Sequence, residues 1–235
     1  MLKLNMFKTT SHLTEKAEDT RTRILNAALG LFRRKGFEQT TMREIAEEAG
    51  VSLGNAYYYF ESKEALVMAF YERAHLELPS RVTAAVAPAT SLEEQLSAII
   101  DAKFAYFASN RAFLGALFRH AADPANALSP FSTETHHIRE ADQQHFAQAL
   151  ENSGMYVPKD LAPHLPKLLW LYQMGLILFW IYDRSPRQRN TTLLKEKSVA
   201  LLINGLKLIR LPILRSVRKR IVELVIAAEG EGNDA

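Results

Sequence analysis

Cysteine is absent from the 235 residues. That excludes a disulfide framework, a thiolate zinc site and a cysteine nucleophile, and it makes a reducing cytoplasm the expected setting. Glycine (10 residues) and proline (9) are sparse, and valine-rich alternating stretches are missing. With few breakers and no period-two pattern, an all-α protein is expected. Charge of one sign is also scarce: the formal net charge is +3, which permits a nucleic-acid partner without demanding one. The longest apolar run, Leu168 to Tyr182, is interrupted by Gln173 and Gly175. It falls short of the roughly 20 residues a bilayer span requires, so a buried helix and no membrane partner are expected. Apolar residues at 48% and charged residues at 23% are those of an ordinary soluble globular chain. Residues 1–18 lack the apolar core of a secretory signal and read as a mobile leader carrying Lys3, Lys8 and Lys16.

What is present is helical periodicity almost throughout. A first helix is expected from Asp19 or Thr20 to Lys35, with Ile24, Ala28, Leu31 and Phe32 on one face and Arg33, Arg34 and Lys35 at its negative dipole end. Gly36 suits the left-handed position that closes it. Thr41-Met42-Arg43-Glu44 has capping-box spacing, so a second helix should begin there and run to Ala49. Gly50 makes a turn, Ser52 caps a third short helix ending near Phe60, and Ser62 opens a long fourth helix ending near Pro79 or a little later. Further helices are expected over Leu92–Ser109, Arg111–Ala122 (closed by Asp123-Pro124), Ser129–Asn152, Leu165–Tyr182, Thr191–Arg210 and Ile213–Ala228.

Two short capped helices about a glycine turn are the build of a helix-turn-helix reader of duplex DNA. Ile24, Ala28, Phe32, Phe37, Ile45, Ala46, Ala49, Val51 and Phe60 supply its core. The positions left over suit DNA. Ser52, Gly54 and Asn55 stand at the front of the third helix; Gly54 lets backbone approach closely, and Asn55 offers a donor and an acceptor to a base edge. Tyr57 and Tyr58 can donate to phosphates. Thr41 and Lys63 stand at positive helix starts, and Arg43 is a further contact. Three consecutive tyrosines would be odd on a buried face, because each buried hydroxyl needs a partner.

Residues 21–66 resemble the N-terminal domain of the TetR family of bacterial transcriptional repressors. The resemblance rests on Arg23-Ile24-Leu25-Asn26-Ala27-Ala28, Leu31-Phe32, Lys35-Gly36-Phe37, Thr40-Thr41-Met42, Ile45-Ala46, Ala49-Gly50-Val51-Ser52, Gly54-Asn55, Tyr57-Tyr58-Tyr59-Phe60 and Ser62-Lys63-Glu64-Ala65-Leu66. It implies DNA contacts at Thr41, Ser52, Gly54, Asn55, Tyr57, Tyr58 and Lys63. Two positions depart from the family pattern. Leu53 stands where a polar or basic residue is common, so a thymine-methyl contact replaces a polar one; Ala56 stands where a larger apolar residue is common. The resemblance further implies a homodimer paired through its last regulatory helices, released from operator DNA by a small-molecule effector. The expected organisation is therefore a leader (1–18), a DNA-binding domain (19–63) and a ligand-sensing and dimerisation domain (64–235).

In the remainder, Leu165–Tyr182 is apolar nearly all round and must be covered on several sides. Together with Thr191–Arg210, whose stripe is Leu194, Val199, Leu202, Ile203, Leu206 and Ile209, it is assigned to a dimer interface. Phe104, Phe107, Phe113, Phe118, Trp170, Met174 and Trp180, with Gln173, Tyr106 or His120 to orient a guest, form a candidate pocket for a lipophilic effector. The same composition also describes plain core. His136, His137 and His145 with Glu134 and Glu140 lack tight ligand spacing, so a solvated helix face is expected rather than a metal site, and no cofactor is expected. No catalytic constellation appears, so the chain is not expected to be an enzyme. The competing reading is a helical lipid- or partner-binding module without gene regulation. The basic terminal helix, with Arg215, Arg218, Lys219 and Arg220, is expected to pack on its own protein rather than on a membrane.

Overall fold

The structure, a computed structural model, describes the backbone of residues 4–120 and 126–230 and the side-chain environments of 15–118 and 126–227. Among these residues it is all-helical: α1 (Leu4–Lys35), α2 (Met42–Ala49), α3 (Leu53–Tyr59), α4 (Lys63–Val86), α5 (Leu92–Phe107), α6 (Arg111–His120), α7 (His136–Asn152), α8 (Leu165–Tyr182), α9 (Arg189–Ile209) and α10 (Arg215–Gly230). Short 3₁₀ turns follow α5, α8 and α9. The expected closure at Asp123-Pro124 and the side chain of His120 lie outside the described residues.

Two compact units emerge: Met1–Ala74 with Asn110–Thr135, and His75–Ser109 with His136–Ala235. Asn110–Thr135 joins the N-terminal unit because Phe113 of α6 stacks on Phe32 of α1, with centroids 5.0 Å apart, and meets Phe70 of α4 edge-on at 5.7 Å. Phe37 completes this nucleus, 5.2 Å from Phe32. Around it Ile24, Ala28, Ile45, Leu66 and Val67 are fully buried. The core expected for this region is buried as a set except for Val51, which is half-buried.

Three boundaries differ from expectation. α1 begins at Leu4, so residues 4–18 continue the helix; no proline or glycine interrupts them, and Thr20 bonds back to the Lys16 carbonyl (2.9 Å) instead of capping. α4 passes through Pro79 to Val86. Proline there forfeits one ladder bond, and the flanking Leu78 and Val82 are buried and hold the helix together. Finally, Ser129-Pro130 does not open α7, which starts at His136. The stretch before it is a turn in which side chains take over the backbone's bonding: Thr135 Oγ1 donates to the Ser129 carbonyl (2.8 Å), Ser132 Oγ to the Ala127 carbonyl (3.1 Å), and the Leu128 amide to Asn126 Oδ1 (2.9 Å). Phe131, within this turn, is exposed.

In the second unit α5 buries Leu92, Leu96, Ile99 and Ile100 against α7, α8 and α9. α8 is long and apolar enough to cross a membrane by length and composition alone. Seven of its residues, Gln173 among them, are nevertheless buried inside the unit. Asp183 joins α8 to α9: Oδ1 accepts from the Ser185 amide (2.9 Å), and Oδ2 accepts from the Thr191 amide (2.8 Å) and hydroxyl (2.7 Å). Desolvation raises its pKa, but these bonds outweigh it and hold the carboxyl well below the usual range. α10 packs on its own chain through Ile221 and Val222, with Arg218 paired to Asp160 at 2.7 Å.

Candidate nucleic-acid interface

α2 starts where the sequence expected and for the expected reason. Thr41 Oγ1 accepts from the Glu44 amide (3.3 Å) while the Glu44 carboxylate accepts from the Thr41 amide (2.9 Å), closing a capping box. Glu44 also pairs with Lys35 at the end of α1, and Arg34 reaches Glu48 at 2.9 Å. These contacts tie α2 to α1 from the polar side, as Met42, Ile45, Ala46 and Ala49 do from the apolar side. Gly50 then adopts φ 65°, ψ 40°, and its N–H bonds back to the carbonyls of Ala46 and Glu47. That left-handed geometry reverses the chain and is cheap only for glycine.

α3 follows at once. Ser52 Oγ accepts from the Asn55 amide (3.1 Å), so this serine is the cap, and its hydroxyl is engaged within the chain. Ala56 is fully buried, as is Phe60 just beyond the helix. The small Ala56 side chain therefore fits a close approach of α3 to its support. Arg21 lies over the Phe60 ring at 5.0 Å and pins that end.

The opposite face is open. Gly54 and Asn55 are exposed, Tyr57 is half exposed and Tyr58 is 81% exposed. Among the described residues, the side chains of Arg43, Asn55 and Tyr57 make no hydrogen bond, ion pair or ring contact, and the Tyr58 ring meets only that of Tyr59, edge to face at 5.2 Å. Leu53 is half-buried. A Cβ built on Gly54 would meet nothing within 4 Å, so the protein itself does not require glycine there. Lys63 differs from these free groups. Its ammonium caps the carbonyls of Phe37 (2.8 Å) and Glu38 (3.3 Å) and lies over the Phe37 ring at 4.6 Å. The sequence suggested a phosphate ligand and gave no sign of this structural duty.

The candidate effector residues are shared between the two units. Phe113 and Phe118 lie in α6 of the first unit, where Phe113 belongs to the aromatic nucleus. In the second unit Phe104 stacks on Trp180 (5.1 Å, 19°), Phe107 meets Tyr106 edge-on at 5.0 Å, Trp170 is core and Met174 is half-buried. Gln173 stands apart from plain core. It is 0% exposed, and neither its Oε1 nor its Nε2 has a partner, an arrangement that is costly unless something else bonds it. His136 meets Glu140 at 3.5 Å as an exposed pair, His137 turns to His75, and His145 faces Asp142 at 3.9 Å. Among the described residues no three such groups converge.

The sequence reading passed over Lys103. Its ammonium is 1% exposed, 2.5 Å from Asp142 Oδ2 and 5.7 Å from the centre of the Phe146 ring. Burial pushes its pKa down and Asp142 pushes it back up. The signal was available, since Lys103 falls seven residues after Leu96 on an otherwise apolar face.

Residues 24–70 match the family model of bacterial regulatory proteins of the tetR family, and residues 95–224, more than half of the chain, match that of the tetracyclin repressor-like C-terminal domain. The HTH-type transcriptional regulator UidR of Escherichia coli (strain K12) is 43% identical over 58 residues, 25% of this chain and 30% of that protein. The chain spans about 30% of the length of the curated relatives it matches. Among solved structures, a tetR-family transcriptional regulator from Streptomyces coelicolor superposes with a TM-score of 0.61 at 23% identity, covering 89% of each chain. Thermus thermophilus FadR, a TetR-family repressor solved with lauroyl-CoA, gives 0.56 at 26% identity over 79% of this chain and 94% of that one.

The capping box makes a pH prediction. Hydrogen bonds from Lys35 and then Thr41 lower the Glu44 pKa to about 2. Because the folded value lies below the unfolded one, the contribution is complete above roughly pH 5 and is lost as pH falls toward 2. Glu44→Gln is expected to flatten the decline of stability across that window in urea melts. Thr41→Ala is expected to cost about 1 kcal/mol at neutral pH.

Proposed function

This chain belongs to the TetR family of bacterial transcriptional regulators, and from that premise we propose that it acts as a soluble cytoplasmic homodimeric repressor, released from its operator by a lipophilic small molecule. The observation that carries the DNA reading is the face of α3. Gly54, Asn55, Tyr57 and Tyr58 are exposed, and the helix is held from behind by Ala56 and Phe60. Asn55 reads a base edge, Leu53 touches a thymine methyl, and the hydroxyls of Tyr57 and Tyr58 donate to phosphates. Ser52, Thr41, Arg43 and Lys63 frame this face; Thr41 and Lys63 combine their structural bonds with phosphate contact at the starts of α2 and α4.

Dimerisation is supported by an exposed apolar seam. Leu171 and Leu178 on α8, and Leu194, Leu201 and Leu208 on α9, recur every seven residues and face outward. Heptad spacing is that of helices packed nearly parallel in a bundle. This seam is not the stripe expected from the sequence: Val199, Ile203 and Leu206 of that stripe are buried within the subunit, and Leu194 alone among the stripe's residues is exposed. Gly175 and Gly205 are exposed on the same two helices, with nothing within 4 Å of an added Cβ, which suits close approach of a second copy. Pairing through this seam would fix two reading heads for half-sites about 34 Å apart.

The effector reading is supported by Gln173, whose unpartnered carboxamide suits a polar group on an otherwise apolar guest near Trp170, Met174, Trp180 and Phe104. Phe107, Phe113 and Phe118 add no comparable feature. The lauroyl-CoA in the Thermus thermophilus relative is an example of a guest with a long apolar chain. Such an effector needs a few kcal/mol of preference for the non-binding state to empty the operator.

A gel-shift with the duplex upstream of the coding sequence tests the reading. Binding is expected there and not on a scrambled duplex; equal binding to both contradicts it. Asn55→Ala is expected to lose about 1–3 kcal/mol on the cognate duplex only. Tyr58→Phe is expected to lose about 1 kcal/mol on every duplex. Leu201→Lys is expected to run as a monomer with its helical circular dichroism intact and to lose the shifted band.

A further inference from the structure

The second compact unit holds a cavity of about 560 Å3, lined by the end of α4, the segment after it, the start of α5 and α7. That volume is in the range of small-molecule sites. None of the aromatic residues discussed above lines it. Val82, Val86 and Ala149 give it an aliphatic wall, while Thr83, Gln95, His145, Gln148 and Asn152 supply polar groups. Not one of its eleven lining residues is Asp, Glu, Lys or Arg.

Gln95 is the informative residue. It lies on the buried face of α5 with Leu92, Leu96 and Ile99, is 4% exposed, and its Oε1 has no hydrogen-bond partner. An apolar side chain would be cheaper at such a position unless the oxygen receives a donor from a guest. His145 Nδ1 is likewise buried without a hydrogen bond, with Asp142 Oδ1 3.9 Å away. Desolvation, and then the nearby Lys103 charge, lower the His145 pKa against the opposing pull of Asp142. Lys103 itself is balanced by Asp142 and does not line the cavity. The rim is built firmly: the Glu94 carboxylate accepts from the amides of Thr90 (2.8 Å) and Ser91 (3.0 Å), fixing the Thr90 edge of the opening.

We propose that this cavity is a binding site for an uncharged small molecule that combines an aliphatic body with a hydroxyl or amide N–H, its donor hydrogen accepted by the Gln95 carboxamide once that side chain, whose Oε1 is closed off in the unliganded chain, turns toward the guest. The aliphatic wall takes the body. The absence of a lining ion disfavours carboxylate and ammonium groups, which would lose their hydration without compensation. Binding here does not depend on the DNA reading and is measured without DNA.

The test is calorimetric titration of the full chain at pH 7 with 1-octanol, octanamide, octanoate and octylammonium, four probes that share one tail. The alcohol and the amide are expected to bind saturably, each at least about tenfold tighter than either ion. Gln95→Leu is expected to weaken the alcohol and the amide about tenfold with the thermal midpoint unchanged or raised. Thr83→Trp, at an exposed lining position on α4, is expected to block both by filling the opening, and it keeps the test decisive should Gln95→Leu fail to fold. Equal affinity for all four heads, no saturable binding of either neutral probe, or binding indifferent to both substitutions overturns the proposal.

Discussion

A helix of seven residues does not hold itself together in water, because nucleation costs more than so few backbone bonds return. α3 is such a helix, and its existence depends on what grips it from one side. Ala56 and Phe60 are buried beneath it, Ser52 caps its start, and the left-handed Gly50 fixes its angle to α2. α2 is fixed in turn by the Thr41–Glu44 box and by Lys35. The chain of support ends in the Phe32–Phe70–Phe113 nucleus. Because all of these contacts approach from behind or from the ends, the front of α3 has no folding duty and is available for a partner.

The second unit is organised by a different constraint, the placing of polar groups where water cannot reach. Asp183 is fully bonded and joins α8 to α9. Lys103 is balanced by Asp142. Gln95 and Gln173 are buried with carboxamide atoms that nothing in the chain satisfies. Satisfied groups of this kind specify a fold, while unsatisfied ones are costly to bury. That contrast separates the two glutamines from the aromatic residues of the second unit, most of which are accounted for by packing alone.

Local signals were legible in the sequence. Thr41 with Glu44, Gly50 and Ser52 each act within four residues, and each stands where its chemistry required. The helices from α5 to α9 were legible from periodicity, with α8 matched at both ends. What was not legible depends on distant partners. Val199, Ile203 and Leu206 form an apolar stripe, but periodicity does not say whether a stripe faces its own core or a second subunit. Pro79 reads as a stop until the buried Leu78 and Val82 beside it are known. Ser129-Pro130 reads as a helix start because hydroxyls that cap helices also close turns. Lys63 reads as a phosphate ligand because its hold on the Phe37 carbonyl spans 26 residues.

The central claim is that the front of α3 is the surface that meets DNA. Hydrogen–deuterium exchange of the full chain, with and without the duplex from upstream of its coding sequence, measures this directly. The account predicts slowed exchange concentrated in peptides covering residues 41–63. Unchanged exchange there, with protection confined to the second compact unit, would contradict it.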